Sequence, residues 1–372
     1  MRLLTGSAEG QESGNTVSLT NNPDLASLTN DFKIHLWNAT VDLRGMFGYK
    51  DNVALANTNR QGSPFWDSGA DVTVFRLPTG PWMVSAFASA DDTRYFDGTA
   101  APEQVVIAAV QAMRFFPQNW SSGFGVNYLY QHQLLDLTAQ LTNEAPISQI
   151  TADNFTGRWV TRKEFKPGWA QLDLSGGREL MAAPLDSFWQ FGPRLGLGYR
   201  YGHGSDLTLN YQWNYLIFDT RQQVSRQGYA LSGTRLRFTS QTVELTWHES
   251  WDKSNHWHTF VTAGYELNED NGADYFNYAH YRLAPRIEYQ AKTWKILGFV
   301  RGGYYDYPVQ PISPGSSTLR EKTWLTAGLR AEKQVFKPLK IFGEYSYDRS
   351  LSDVETDTYY DNTVKLGFDW QF

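Results

Sequence analysis

The sequence ends on YDNTVKLGFDWQF (residues 360–372), and this stretch decides the fold class. Val364, Leu366 and Phe368 share one parity, whereas polar residues such as Lys365 share the other. Because alternate side chains of a β-strand point to opposite faces, the stretch predicts a strand with one apolar and one polar face. A soluble antiparallel sheet can show the same alternation. A chain that stops on an exposed aromatic residue, however, needs something apolar beside it.

The same two-faced pattern recurs upstream. Residues Leu36 to Lys50 alternate strictly, and so do residues Leu207 to Ile217, where Leu209 and Trp213 share the apolar face. Soluble strands are seldom as long as the first of these runs. A strand that crosses a membrane at a tilt needs about 9–11 residues. The pattern therefore favours strands that span a membrane.

The connections between the strand-like runs fall into two kinds. Tight turns with Pro, Gly, Asn or Asp, such as residues 78–80 and 166–168, alternate with longer loops. This alternation puts the short turns on one side of the sheet and the long loops on the other. It predicts an even number of strands, about 16, with about 14 or about 18 as alternatives.

The terminal strand resembles the closing strand of bacterial outer-membrane β-barrels, in which an aromatic C-terminal signal is recognised by the barrel assembly machinery. The resemblance implies an all-β fold: a transmembrane, antiparallel, up-and-down β-barrel in the bacterial outer membrane, with both termini periplasmic. The implied partners are outer-membrane lipid, lipopolysaccharide, the barrel assembly machinery and a periplasmic or outer-membrane partner chain. The residues of the implied assembly signal are Tyr360, Val364, Leu366, Phe368, Trp370 and Phe372.

Composition narrows the class of protein. The net charge of −6 and the lack of a basic run argue against nucleic-acid binding, and the absence of cysteine excludes disulfides and thiolate metal sites. The aromatic fraction of 15% suits interfacial girdles, although an aromatic-rich soluble β protein, such as a lectin or a glycan hydrolase, has it too. The N-terminus lacks the apolar core of a signal peptide, so we expect a mature or shortened chain. Residues 1–32 are interpreted as a flexible periplasmic arm or linker, and residues 33–372 as the barrel.

The polar faces of the strands are expected to line the lumen, and they carry charges of both signs. The predicted lumen-lining residues are Asp42, Arg44, Arg194, Arg200, Arg282, Arg286, Glu288, Arg301, Arg330, Glu332, Glu344, Lys365 and Asp369. Such a lumen is either a wet channel whose charges select solutes or a network of ion pairs that partly fills the barrel. The leading function is therefore a porin-like channel for polar or ionic solutes. The alternatives are the barrel domain of a secretion or surface-polysaccharide export system, and a closed barrel that acts as a structural or assembly partner.

Three local features carry further expectations. Leucines 134 to 141 have roughly helical spacing, which permits a short helix there. The stretch 133–154 is the longest interruption, and it is either a constricting element or an ordinary surface loop. The apolar parity slips between Phe238 and Val243, and a β-bulge is the simplest explanation.

No catalytic residue, metal ligand or cofactor is predicted. His256 and His258 flank Trp257, a spacing that can share a metal ion but is more often found in surface histidines. His248, Glu249 and Ser250 are adjacent in sequence, so on one strand they alternate faces and do not form a triad. No nucleophile elbow or zinc-protease motif is present. The chain is therefore expected not to be an enzyme.

Overall fold

The computed structural model describes residues 36–78, 80–98, 100–136, 147–183, 185–202, 204–313 and 315–372. These residues form one closed antiparallel barrel in which each strand pairs with its neighbours in sequence and the last strand pairs with the first. The prediction of about 16 strands is confirmed. The strands are β1 (Trp37–Lys50), β2 (Ser63–Arg76), β3 (Trp82–Tyr95), β4 (Glu103–Phe116), β5 (Trp120–Asp136), β6 (Ile147–Phe165), β7 (Gly168–Met181), β8 (Phe188–Tyr201), β9 (Ser205–Phe218), β10 (Arg237–Ser250), β11 (Trp257–Asp270), β12 (Tyr278–Gln290), β13 (Trp294–Pro311), β14 (Leu319–Phe336), β15 (Leu339–Ser352) and β16 (Tyr359–Gln371). The predicted arm, residues 1–32, lies outside the described part of the chain.

The connections divide between the two rims as the sequence predicts. The turns that follow the even-numbered strands include 117–119, 166–167 and 337–338, and all of them are short. Most loops that follow the odd-numbered strands are longer, although loops 182–187 and 353–358 only equal turn 251–256 in length, and residues 219–236 form the longest. Strand β1 begins and β16 ends at the rim of the short turns.

Alternation along each strand separates the wall into two surfaces. Leu195, Leu197 and Tyr199 of β8 are exposed on the outer surface. On the neighbouring strand β7, Asp173 is buried and faces the barrel interior. An apolar outer wall on a closed barrel is the arrangement that satisfies every strand's backbone inside a lipid bilayer. No helix among the described residues is long and apolar enough to cross a membrane.

The seam between β1 and β16 closes the barrel. Its register runs from Asp42 opposite Gln371 to Lys50 opposite Thr363. Beyond the last pair, the backbone N–H of Asn362 donates to Asp51 Oδ1 at 2.7 Å, and its side-chain amide donates to Asp51 Oδ2 at 2.7 Å. We call this contact the seam latch. It ties the first long loop to the start of the last strand.

The predicted bulge in β10 is wrong, and the predicted helix near Leu134 can be compared with the structure only in part. Strand β10 pairs without interruption with β9 and β11, so the parity slip after Phe238 is not a bulge. Register shifts occur instead in β13 beyond Asp306 and near the end of β14. Leu134 lies in β5 opposite Gln149 of β6, so no helix begins there. The remainder of the predicted helix, and the centre of the 133–154 stretch, lie among residues 137–146, which the structure does not describe.

Candidate solute path along the inner wall

Charged side chains meet on the inner wall beside the seam. The guanidinium of Arg44 on β1 donates to Asp71 of β2 and, at 2.7 Å, to Asp91 of β3. Across the seam, Arg44 lies in register with Asp369 of β16. Asp42, another predicted lumen residue, lies in register with Asp71. Charges on one strand, such as Asp42 and Arg44 on β1, share the inner face because alternate side chains of a strand point to the same side.

The same band continues through β14, β15 and β16. Arg330 contacts Glu332 at 2.6 Å, Glu344 at 3.2 Å and Asp369 at 3.3 Å. Its guanidinium also lies 3.8 Å from the ring centroid of Phe342. Lys365 reaches Glu344 at 3.8 Å. Because Asp369 also lies opposite Arg44, the predicted residues of both strand groups form one charged band across the seam.

Four further predicted residues lie on β12 and β13, the strands that adjoin this band. Arg282 contacts Glu244 at 2.7 Å, and Glu288 contacts Lys295 at 2.9 Å. Arg286 lies over the ring of Phe260, with 4.0 Å between the guanidinium carbon and the ring centroid. Arg301 lies over Phe299 in the same way, at 4.9 Å.

The two remaining predicted arginines, Arg194 and Arg200, both lie on β8. Arg194 lies in register with Asp173 of β7, which Arg158 approaches at 3.7 Å. Arg200 contacts Glu164 of β6 at 3.3 Å near the short-turn rim. The predicted set is thus spread round the wall in several ion-paired groups and is not gathered into one pocket.

The residues predicted as an assembly signal occupy the outer face of β16. Val364, Leu366 and Phe368 are exposed on the lipid side, and so are Tyr360, Trp370 and Phe372. The backbone N–H of Phe372 donates to the carbonyl of Val41 at 2.8 Å. The terminal aromatic residue is therefore fastened to the first strand.

The rim of the long loops holds an apolar cluster that the sequence reasoning missed. Phe188, Leu216, Phe218 and Phe238 point inward from the ends of β8, β9 and β10, and the cluster includes Leu236, which is fully buried. We call this the mouth cluster. Its complete membership is Phe188, Leu216, Phe218, Val224, Leu236, Phe238, Tyr275 and Phe276. Loop 219–236 thus packs against the inner wall and narrows the mouth.

Polar contacts hold this loop in place. The carboxylate of Asp186 accepts hydrogen bonds from the backbone N–H groups of Thr220 and Arg221, at 2.8 and 2.7 Å. The guanidinium carbon of Arg221 lies 5.1 Å from the ring centroid of Phe218 and 4.7 Å from that of Phe276. Burial among these rings lowers the pKa of Arg221 to about 10. Arg221 therefore ties the loop to the mouth cluster through cation–π contacts with both rings.

A second group of contacts lies on the strands that follow the mouth cluster in sequence. His280 stacks on Tyr305 with ring centroids 3.8 Å apart, and Trp324 donates to its Nε2 at 3.2 Å. Arg320 is buried with Asp357, which lies in the last long loop. These contacts join residues that are far apart in sequence, so no local sequence pattern predicts them.

Acid is expected to loosen the anchor of loop 219–236. The hydrogen bond from Arg178 holds the pKa of Asp219 below its usual range. A depressed pKa means stabilisation that is present above the unfolded value of about 3.9 and is lost as the pH falls through the folded value. Protease cleavage within 219–236 should therefore increase below about pH 4 relative to pH 7. Asp219→Asn should show the increased cleavage at both pH values, and an unchanged pattern in that variant would show that the Asp219 carboxylate does not anchor the loop.

The described histidines contact polar neighbours in pairs. His248 contacts Asp206 at 3.0 Å and His258 at 3.1 Å, whereas Glu249 accepts from the hydroxyl of Tyr201. His256 approaches Asp252 at 3.2 Å. In the part of the chain that the structure describes, no three His, Asp or Glu side chains are grouped so as to hold a metal ion.

Comparison with known proteins places the fold. No protein-family model and no curated protein matches the sequence. Among solved structures, the chain is similar to OmpT, an outer-membrane protein of Vibrio cholerae, with 10% identity, a TM-score of 0.50, and coverage of 92% of this chain and 99% of that one. The fold is that of bacterial outer-membrane β-barrels. OccAB1 of Acinetobacter baumannii (10% identity, TM-score 0.49, coverage 90% and 96%) and OprD of Pseudomonas aeruginosa (10%, 0.46, 91% and 94%) are also similar.

Proposed function

We propose that this barrel is an outer-membrane channel that passes polar or ionic solutes in the manner of a porin. The observation that carries the proposal is the charged band on the inner wall, in which Arg330 contacts Asp369 at 3.3 Å and Arg44 lies in register with it across the seam. A wall of fixed charges favours hydrated polar solutes over apolar ones. A closed barrel of this strand number is wide enough to leave an aqueous channel. The protein acts in this role without an enzyme activity or a cofactor.

The orientation follows from the same proposal. The long loops face the cell exterior, and the short turns, together with both ends of the barrel, face the periplasm. The aromatic outer face of β16 with Phe372 serves as the signal for the barrel assembly machinery. Lipid and lipopolysaccharide surround the apolar outer wall.

Single-channel recording in planar bilayers tests the proposal. Purified full-length protein, with its folded state verified by heat-dependent migration on a gel, is expected to insert and give discrete conductance steps. Folded protein that inserts but never conducts would overturn the channel and support a closed barrel with a structural role. Steps that appear only when a further chain is removed from the lumen would instead support the barrel domain of an export system.

A further inference from the structure

A groove runs along the outer wall over β12 to β15. It has a volume of about 590 Å³, and its exposed walls are formed by Leu283, Leu325 and Leu351 with Tyr281. This volume lies within the range of about 300–1,000 Å³ that is usual for small-ligand sites. The groove faces outward, since its leucines alternate with inward residues of the same strands.

Gly302 forms the floor of the groove. It lies in register between Leu283 and Leu325. A Cβ atom at this position would approach the carbonyl oxygen of Trp324 at 3.3 Å and Leu325 Cδ1 at 3.6 Å. The missing side chain therefore creates a depression flanked by aliphatic side chains, a shape that suits a hydrocarbon chain.

Arg349 is one of the residues that line the groove, and Arg60 lies in the first long loop, residues 51–62. Arg349 of β15 lies in register with Leu325 on one side and Tyr360 on the other. Arg60 lies over the ring of Tyr360, 3.7 Å from its centroid. Among the described residues, no ion pair joins a carboxylate to either guanidinium, and Asp51 of the seam latch is the carboxylate that interacts electrostatically with Arg60. An arginine on the lipid side is tolerated near the membrane interface and is costly deeper in the bilayer, so these two cations suit an anion at headgroup level.

We propose that this outer groove binds a phosphorylated, acylated glycolipid of the outer leaflet. One acyl chain lies over Gly302, and a phosphate is held by Arg349 and Arg60. Arginine matches phosphate because its planar guanidinium donates two parallel hydrogen bonds. Asp306 and Glu321, which lie opposite each other nearer the rim, repel a phosphate placed higher. The inference rests on the outer-membrane location proposed above.

Binding of purified lipid A to the full-length protein in detergent, followed by native mass spectrometry with Mg²⁺ present, tests the site. Arg60→Ala/Arg349→Ala should weaken binding of lipid A about tenfold or more, and should leave binding of dephosphorylated lipid A unchanged. Gly302→Val should weaken binding of both lipids because it fills the groove. Arg94→Ala, which removes an outward arginine already paired with Asp92 at 2.7 Å, is the matched charge control. Gly298→Val, where a Cβ meets only Leu329 Cδ1 at 3.9 Å, is the matched glycine control.

The outcomes separate the lipid site from the channel. Equal lipid A binding by the wild type and all variants would overturn the site, as would full displacement of lipid A by inorganic phosphate, which would show that the groove contributes nothing. If the protein conducts but its lipid A binding does not depend on Gly302 or Arg349, the channel proposal stands and the lipid site is overturned. If the protein binds lipid A as expected but never conducts, the lipid site stands and the channel proposal is overturned.

Discussion

Arg330→Met is expected to produce the largest change in ion selectivity of any single substitution on the inner wall. The change leaves Glu332, Glu344 and Asp369 without the cation that now lies within 3.3 Å of all three. The reversal potential in a KCl gradient should therefore move towards that of a cation-selective pore. The shift should grow as the salt is diluted, because the screening length rises from about 10 Å at 0.1 M to about 30 Å at 0.01 M. Glu344 keeps Lys365 at 3.8 Å and Asp369 keeps Arg44 in register with it. The loss of the cation therefore falls mainly on Glu332, and it should lower the free energy of unfolding by about 1–3 kcal/mol.

The double variant Arg330→Met/Glu344→Gln is the matched control. It removes one cation and one of the anions that Arg330 contacts, so the net charge of the wall returns to its original value. The reversal potential should return towards that of the wild type, because fewer unpaired carboxylates remain. An unchanged reversal potential in the single variant would show that this cluster does not lie on the ion path.

Leu236→Ala is expected to undock the loop that narrows the mouth. Leu236 is fully buried in the mouth cluster, and truncation of a buried leucine to alanine costs about 2–5 kcal/mol. A loop held by few apolar side chains cannot sustain that loss. Single-channel conductance should rise, and protease cleavage within 219–236 should increase.

Leu231→Ala provides the comparison within the same loop. Leu231 is 36% exposed, so the identical chemical change should leave conductance and cleavage near the wild-type values. If Leu236→Ala increases cleavage while conductance stays constant, loop 219–236 does not restrict the path.

Alternation explains why most of the barrel is predictable from the sequence. Strand β8 is bounded as expected at Phe188 and Tyr201, because its apolar residues recur with a period of two and a glycine turn follows it. Strand ends elsewhere extend further than the pattern indicates. Strand β2 begins at Ser63, six residues before the expected Gly69, because backbone pairing continues where the alternation fades.

At the mouth, the period-two pattern gives the wrong prediction. Phe238 breaks the apolar parity of β10 because it faces inward beneath a loop, and not because of the β-bulge that the parity slip predicts. Phe188 and Phe218 occupy similar inward positions at strand ends. Apolar residues of the wrong parity at the long-loop rim were therefore the available signal for a packed loop. The pair Arg320 and Asp357 had no such signal, because only the closed structure brings its members together.

The seam latch has a consequence for how the molecule forms. Asp51 and Asn362 are separated by 311 positions, so their contact must wait until nearly the whole chain has been laid out, and contacts of such long range slow folding. Until then, the sheet has two open edges, which are templates for pairing with other chains. The charged band is divided at the same place, since Arg44 and Asp369 stand on opposite edges. Before closure, the sheet therefore lacks both the backbone pairing of β1 with β16 and the charge pairing across that seam. A single closure event forms both.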